Sequence, residues 1–125
     1  IGKILLGGSS ELIEWNRLRK AINAKMSSSD FKINEDKLMG PFFLSKKAIA
    51  SDENGMIVDK EKFVDVFKSK VIMYLYEDAV KQGKHRFFDG CKDTGKYSSV
   101  CEAFDTLGIG IFGATFQEIF YDKED

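Results

Sequence analysis

A chain of 125 residues is long enough for one hydrophobic core, and nothing in its length calls for a second domain. With 43% hydrophobic and 31% charged residues it is too apolar to be disordered. Nineteen basic against twenty acidic residues, spread along the chain, leave a net charge of −1, which argues against an autonomous nucleic-acid binder.

The chain opens Ile1-Gly2-Lys3-Ile4-Leu5-Leu6 without an initiator Met, as though cut from something longer. Residues 1–10 therefore read as a linker from an upstream region, and residues 11–125 as a single helical domain. Gly7-Gly8-Ser9-Ser10 is glycine-rich, but it lacks the Lys-Ser/Thr ending and the preceding strand that a phosphate-cradling loop requires.

Leu18, Ile22 and Met26 repeat every four residues, with Leu12 and Trp15 on the same face, and predict an amphipathic helix over 12–26. Ser9 and Ser10 are candidate caps, with Asn16 the alternative, and Ser27-Ser28-Ser29 closes the helix. In residues 30–45, Phe31 and Ile33 alternate with polar neighbours while Glu35 to Met39 suit a helical turn, and Gly40-Pro41 then breaks any helix. Pro41 is the single proline, and it forces a defined turn after which Phe42, Phe43 and Leu44 are expected in the core.

Asp52-Glu53-Asn54-Gly55, between two short apolar stretches, fits either a small hairpin or an exposed loop. The strongest element runs from Asp59 or Lys60 to about Gln82. Phe63, Phe67, Val71 and Leu75 recur every four residues there, Asp59 suits the N-cap, Lys81 lies in the last turn and Gly83 offers a left-handed exit. Residues 84–90 read as a short extended piece or tight connection, and 93–96 as a loop. Ser99 and Glu102 have the spacing of a capping box for a short helix ending at Gly108. Phe112, Phe116 and Phe120 then suggest a last short helix from Thr115. The fold class is mainly α: a small helical domain with two principal amphipathic helices, shorter helices and room for one small β-hairpin.

Catalytic hardware is sparse. Cys91 and Cys101 form neither a disulfide framework nor, with His85 the single histidine, a zinc spacing, and both read as reduced cysteines of a cytoplasmic protein. No apolar run reaches the ~18 residues of a membrane span. His85, Asp89 and Cys91 lie close in sequence, but Cys–His catalysis needs a geometry that spacing does not supply, and the alternative is a surface histidine beside Arg86. Glu77 and Asp78 are adjacent on a helix and so diverge. Arg17, Arg19, Lys20 and Lys25 share one helix, as a basic contact patch or as a solvated face touching a neighbouring domain.

Three segments carry more. Leu18-Arg19-Lys20-Ala21-Ile22-Asn23, then Glu35-Asp36-Lys37-Leu38-Met39-Gly40-Pro41-Phe42-Phe43, then Phe67-Lys68-Ser69-Lys70-Val71-Ile72-Met73-Tyr74-Leu75-Tyr76-Glu77-Asp78 stand in an order that resembles the C-terminal helical lid of McrB-type AAA+ NTPases, the motor subunits of modification-dependent restriction systems. The resemblance covers residues 12–90; the tail 91–125 has no counterpart in it. It implies a lid that closes over nucleotide held by an upstream α/β subdomain and moves as a rigid body within a ring of subunits. It further implies GTP or ATP with magnesium in the parent protein and none in this fragment, a nuclease subunit as a further partner, and no direct contact with DNA or membrane. Lys37, Gly40, Pro41 and Phe42 would approach the nucleotide or its subdomain, through the lysine charge and exposed backbone amides. Arg17, Arg19 and Lys20 would form a basic contact face. Members of the family often have a Gly-His-Ser-Tyr-Phe type segment where this chain has Gly40-Pro41-Phe42-Phe43, so no histidine sensor is carried over. The alternative reading is a helical protein-interaction module without motor function.

Overall fold

The computed structural model describes residues 1–80 and 82–122; Lys81, expected in the last turn of the long helix, lies outside them. The fold is mainly α, with one small antiparallel sheet. Strands β1 (Lys3–Ile4) and β2 (Ile13–Glu14) pair with Lys3 opposite Glu14. Five α-helical segments follow: α1 (Trp15–Met26), α2 (Lys60–Val66), α3 (Lys84–Phe87), α4 (Tyr97–Leu107) and α5 (Ala114–Asp122).

The expected linker at residues 1–10 is instead part of the fold. Ile4 and Leu6 are buried, and Gly7 and Gly108, both at positive φ, cross so closely that a Cβ on Gly7 would sit 2.6 Å from the Gly108 amide nitrogen. This crossing pins the N-terminal segment against the end of α4. The same segment moves the start of α1: neither Ser9, Ser10 nor Asn16 caps it, because β2 runs directly into the helix and the Gly2 carbonyl accepts the Trp15 amide at 2.9 Å. One of the orphan donors of a helix start is thereby satisfied from the neighbouring strand.

The hairpin alternative for 46–58 holds. Asp52 turns the chain, Ser51 bridges Ile57, and Met56 lies beside Lys3 as a further rung of β1. Asp59 caps α2 through the Lys62 amide, as expected. Beyond Val66 the helix continues in two π-helical stretches, Phe67–Ile72 and Leu75–Ala79, where the Met73 amide reaches back to Lys68 and the Val80 amide to Leu75. The sequence accounts for this. Residues spaced strictly by four drift by ~40° per step on a 3.6-residue helix, so Phe63 and Ala79 would end up nearly opposite one another. The wider turns cancel much of that drift, and Phe63, Phe67, Val71, Leu75 and Ala79 are all buried.

The helix ends at Val80, and Gly83 is not left-handed but lies at φ −133°. Residues 84–87 form a helical turn rather than an extended piece. Ser99 does not cap α4; its hydroxyl donates to Asp93, and the helix begins two residues earlier, then ends on Gly108 as expected. A 3-10 stretch, Gly108–Phe112, leads into α5, one residue ahead of the expected start.

The buried side chains form one contiguous cluster from Ile4 to Phe120, much of it phenylalanine. Phe67 stacks on Phe104 with ring centres 4.6 Å apart, and Trp15 meets Phe63 and Phe67 edge to face. No helix among the described residues is long and apolar enough to cross a membrane.

Candidate functional site

The three sequence segments converge on one turn. Asn23 of α1 brackets Met39, accepting from its amide at 2.9 Å and donating to its carbonyl at 2.8 Å. Arg19 donates to the same carbonyl at 2.8 Å, and Asn16 holds its guanidinium from the other side. On the opposite flank the Tyr74 hydroxyl donates to the Lys37 carbonyl at 2.6 Å, and the Lys37 ammonium pairs with Asp78 at 3.3 Å. Burial, followed by the nearby Asp78 charge, pushes the Tyr74 hydroxyl above its ordinary pKa and keeps it a donor.

Held on both sides, residues 40–43 form a turn closed by the Phe43 amide on the Gly40 carbonyl, with Pro41 at the position that suits its fixed φ. Leu44 is buried and Phe43 rests on Tyr74, but Phe42 is not in the core as expected: it is 80% exposed at the tip. Gly40 and Pro41 are exposed beside it. Gly40, Pro41 and Phe42 thus share one solvent-facing turn, with the half-exposed Lys37 at the end of the 3-10 turn Glu35–Lys37 just before it.

The basic face does not form as expected. Arg19 is only 8% exposed and serves Met39, whereas Arg17 and Lys20 point to the other side of α1. There, α1, α3 and α5 enclose an open groove of about 930 Å³. Arg17 lies over the Phe120 ring and donates to its carbonyl. Lys25 donates to the carbonyls of Phe87 and Phe112 and to Asp89 at 3.1 Å; burial outweighs those contacts and lowers its pKa. The groove was not legible in the sequence, since its walls come from residues about 100 positions apart. The one local signal was Ala21 and Ala24 on the polar side of α1.

His85 and Asp89 are exposed on the rim of this groove. Burial, then the Asp89 charge, pushes the Cys91 thiol up to about 11, which leaves it protonated and poorly nucleophilic at neutral pH. Glu77 and Asp78 are both exposed, with Asp78 engaged by Lys37. Among the described residues no group of three His, Cys, Asp or Glu side chains is placed to hold a metal ion.

No protein-family model matches the chain, and no solved structure matches it. Over 98 residues it is 31% identical to the "Type II restriction enzyme BsuMI component YdiS" of Bacillus subtilis (strain 168). The aligned region is 78% of this chain and 23% of that protein, so the chain spans less than a quarter of the length of the curated relative it matches. The chain is therefore similar to one part of a restriction-enzyme component.

Proposed function

We propose that the chain is a helical lid of a nucleotide-driven motor in a cytoplasmic restriction system, and that it acts by contact and closure rather than by catalysis. The observation that carries this reading is the convergence of the three ordered segments on the Lys37–Phe42 turn. The similarity to a restriction-enzyme component supports the restriction context. An upstream α/β subdomain supplies GTP or ATP with magnesium, neighbouring subunits complete a ring, and a nuclease subunit is a further partner. DNA and membrane contact are not assigned to this chain.

The turn has the properties the role requires. The Lys37–Asp78 pair is exposed, and such pairs contribute about 0–1 kcal/mol, so the ammonium transfers to a phosphate at little cost. Phe42 holds its ring in water; burying it against a facing subdomain contributes about 1.5–3 kcal/mol. Arg19, Asn23 and Tyr74 fix the backbone that presents both, so helix motion is passed to the turn without slack.

The test is made in the full-length gene product. Lys37→Ala and Phe42→Ala are each expected to lower nucleotide turnover or ring assembly by about tenfold, while changing folding stability by less than about 0.5 kcal/mol, as for exposed sites. Unchanged turnover and assembly in both variants overturns the reading. So does a full-length sequence that carries no P-loop and no Walker B strand, which leaves the helical interaction module.

A further inference from the structure

The groove between α1, α3 and α5 plays no part in holding the Lys37–Phe42 turn. On a helix turning ~100° per residue, Arg17, Ala21 and Ala24 fall within ~60° of one another and far round the axis from Arg19 and Asn23. Helix α1 therefore faces the turn with one side and the groove with another.

The groove is of two kinds of surface. Its floor is apolar and low at the α1 side, where Ala21 and Ala24 allow close approach, and it rises to Phe116 and Ile119 on α5, the latter 58% exposed. Its rim carries Arg17, Lys20, Lys25 and Arg86 against two carboxylates, Asp30 and Asp89, a surplus of two positive charges on a chain whose net charge is −1. Several of these cations are already held in place: Arg17 over Phe120 at 4.2 Å, Arg86 over Phe31 at 5.0 Å and Lys25 over Phe87 at 5.1 Å. Ordered cations lose less freedom on binding an anion.

We propose that this groove docks an acidic amphipathic helix of a second protein. The floor offers side chains and no open strand edge, so an extended peptide would leave its amides and carbonyls unpaired, whereas a helix satisfies its own. The α1 wall from Arg17 to Lys25 is about 12 Å long, a little over two helical turns. An apolar stripe on the ligand covers Ala21, Ala24 and Ile119, and flanking carboxylates meet Arg17, Lys20 and Arg86. Charge of the opposite sign selects against basic helices and speeds encounter. A stacked nucleic-acid base fits less well, because Arg86 and Arg17 already lie over the rings of Phe31 and Phe120.

The experiment uses the full chain and three fluorescent peptides of about fourteen residues. One has Leu at i, i+3, i+4 and i+7 with Glu on the flanks; the second has Lys for Glu; the third is the acidic peptide with a central proline. The acidic helix is expected to bind at least about tenfold more tightly than the other two, and less tightly as salt is raised. Lys20 and Ala24 are exposed, so Lys20→Glu and Ala24→Arg keep the fold, which circular dichroism checks, and each weakens binding about tenfold. Equal affinity for the three peptides, or binding untouched by Ala24→Arg, overturns the proposal. A single-stranded oligothymidine that binds more tightly than the acidic peptide and is lost in Lys20→Glu overturns it in favour of nucleic acid. A dimer in sedimentation that Ala24→Arg dissociates overturns it in favour of a second copy of the chain.

Discussion

Arg19 carries a charge that sequence position alone would assign to a surface, yet its guanidinium is enclosed between Asn16 and the Met39 carbonyl. Its neighbour Lys20 has the same charge and is exposed. The difference is one of direction, since adjacent helical residues point ~100° apart. Arg19→Ala removes donors from two acceptors and is expected to lower stability by about 1–3 kcal/mol. Lys20→Ala should stay within about 0.5 kcal/mol. Urea unfolding of both variants checks this, and equal losses would mean that Arg19 is not the tether described. Phe42 shows the converse error. Its hydrophobicity predicts burial, but the Gly40–Phe43 turn points it outwards while its neighbour Phe43 turns back onto Tyr74.

The long helix was the most legible element because its apolar stripe is long and regular, and its N-cap was read correctly at Asp59. Its geometry was hidden, although the strict spacing of four over Phe63 to Ala79 was itself the signal that turns wider than α were needed. Leu75 is fully buried at the start of one wide stretch, and Leu75→Ala is expected to cost about 2–5 kcal/mol by calorimetry or urea unfolding. A loss below about 1 kcal/mol would contradict the packing described. Helix α1 was legible in its C-terminal half and misread at its start. The serines that resemble caps are local signals, whereas the Gly2 carbonyl that takes the Trp15 amide arrives from a strand pairing that no local pattern shows. The last helix was found from the helical spacing of Phe112, Phe116 and Phe120, although Gly108, Gly110 and Gly113 interrupt the segment before it.

At the scale of the whole molecule, burial raises the acid groups of several residues together. Cys91 rises to about 11 from its ordinary value near 9, and Cys101, Tyr74, Tyr76 and Tyr97 shift the same way, each with burial as the first cause. A group whose folded pKa is raised contributes stability that is complete below its unfolded pKa and is lost as pH climbs through the folded one. Lys25, lowered by burial, works in the opposite direction and offsets part of the effect. Stability is therefore expected to fall as pH rises from about 9 to about 11, with a shallower fall in Cys91→Ser. Urea midpoints across that range test it; a flat profile would show that these groups titrate alike in the folded and unfolded chains. The two surface sites differ in how far they could be read. The Lys37–Phe42 turn was assembled from three contiguous segments, each visible as a string of residues. The groove exists only after α1, α3 and α5 have packed, so no window of sequence contains it.

The wide turns of the long helix also limit how this gene can change length. Each amide that reaches back five residues instead of four encloses one more residue than an α-turn does. Loss of a single codon between Phe67 and Met73 would remove that extra residue and leave a more regular helix, with Tyr74 and Asp78 facing much as they do now. Loss of one between Lys60 and Val66, where no wide turn absorbs it, would instead swing both by ~100° around the axis. Both would then miss Lys37, and the turn would lose its support on that flank. Among relatives, exposed loops are free to lengthen or shorten, whereas this helix is expected to change its residue count only within its wide stretches.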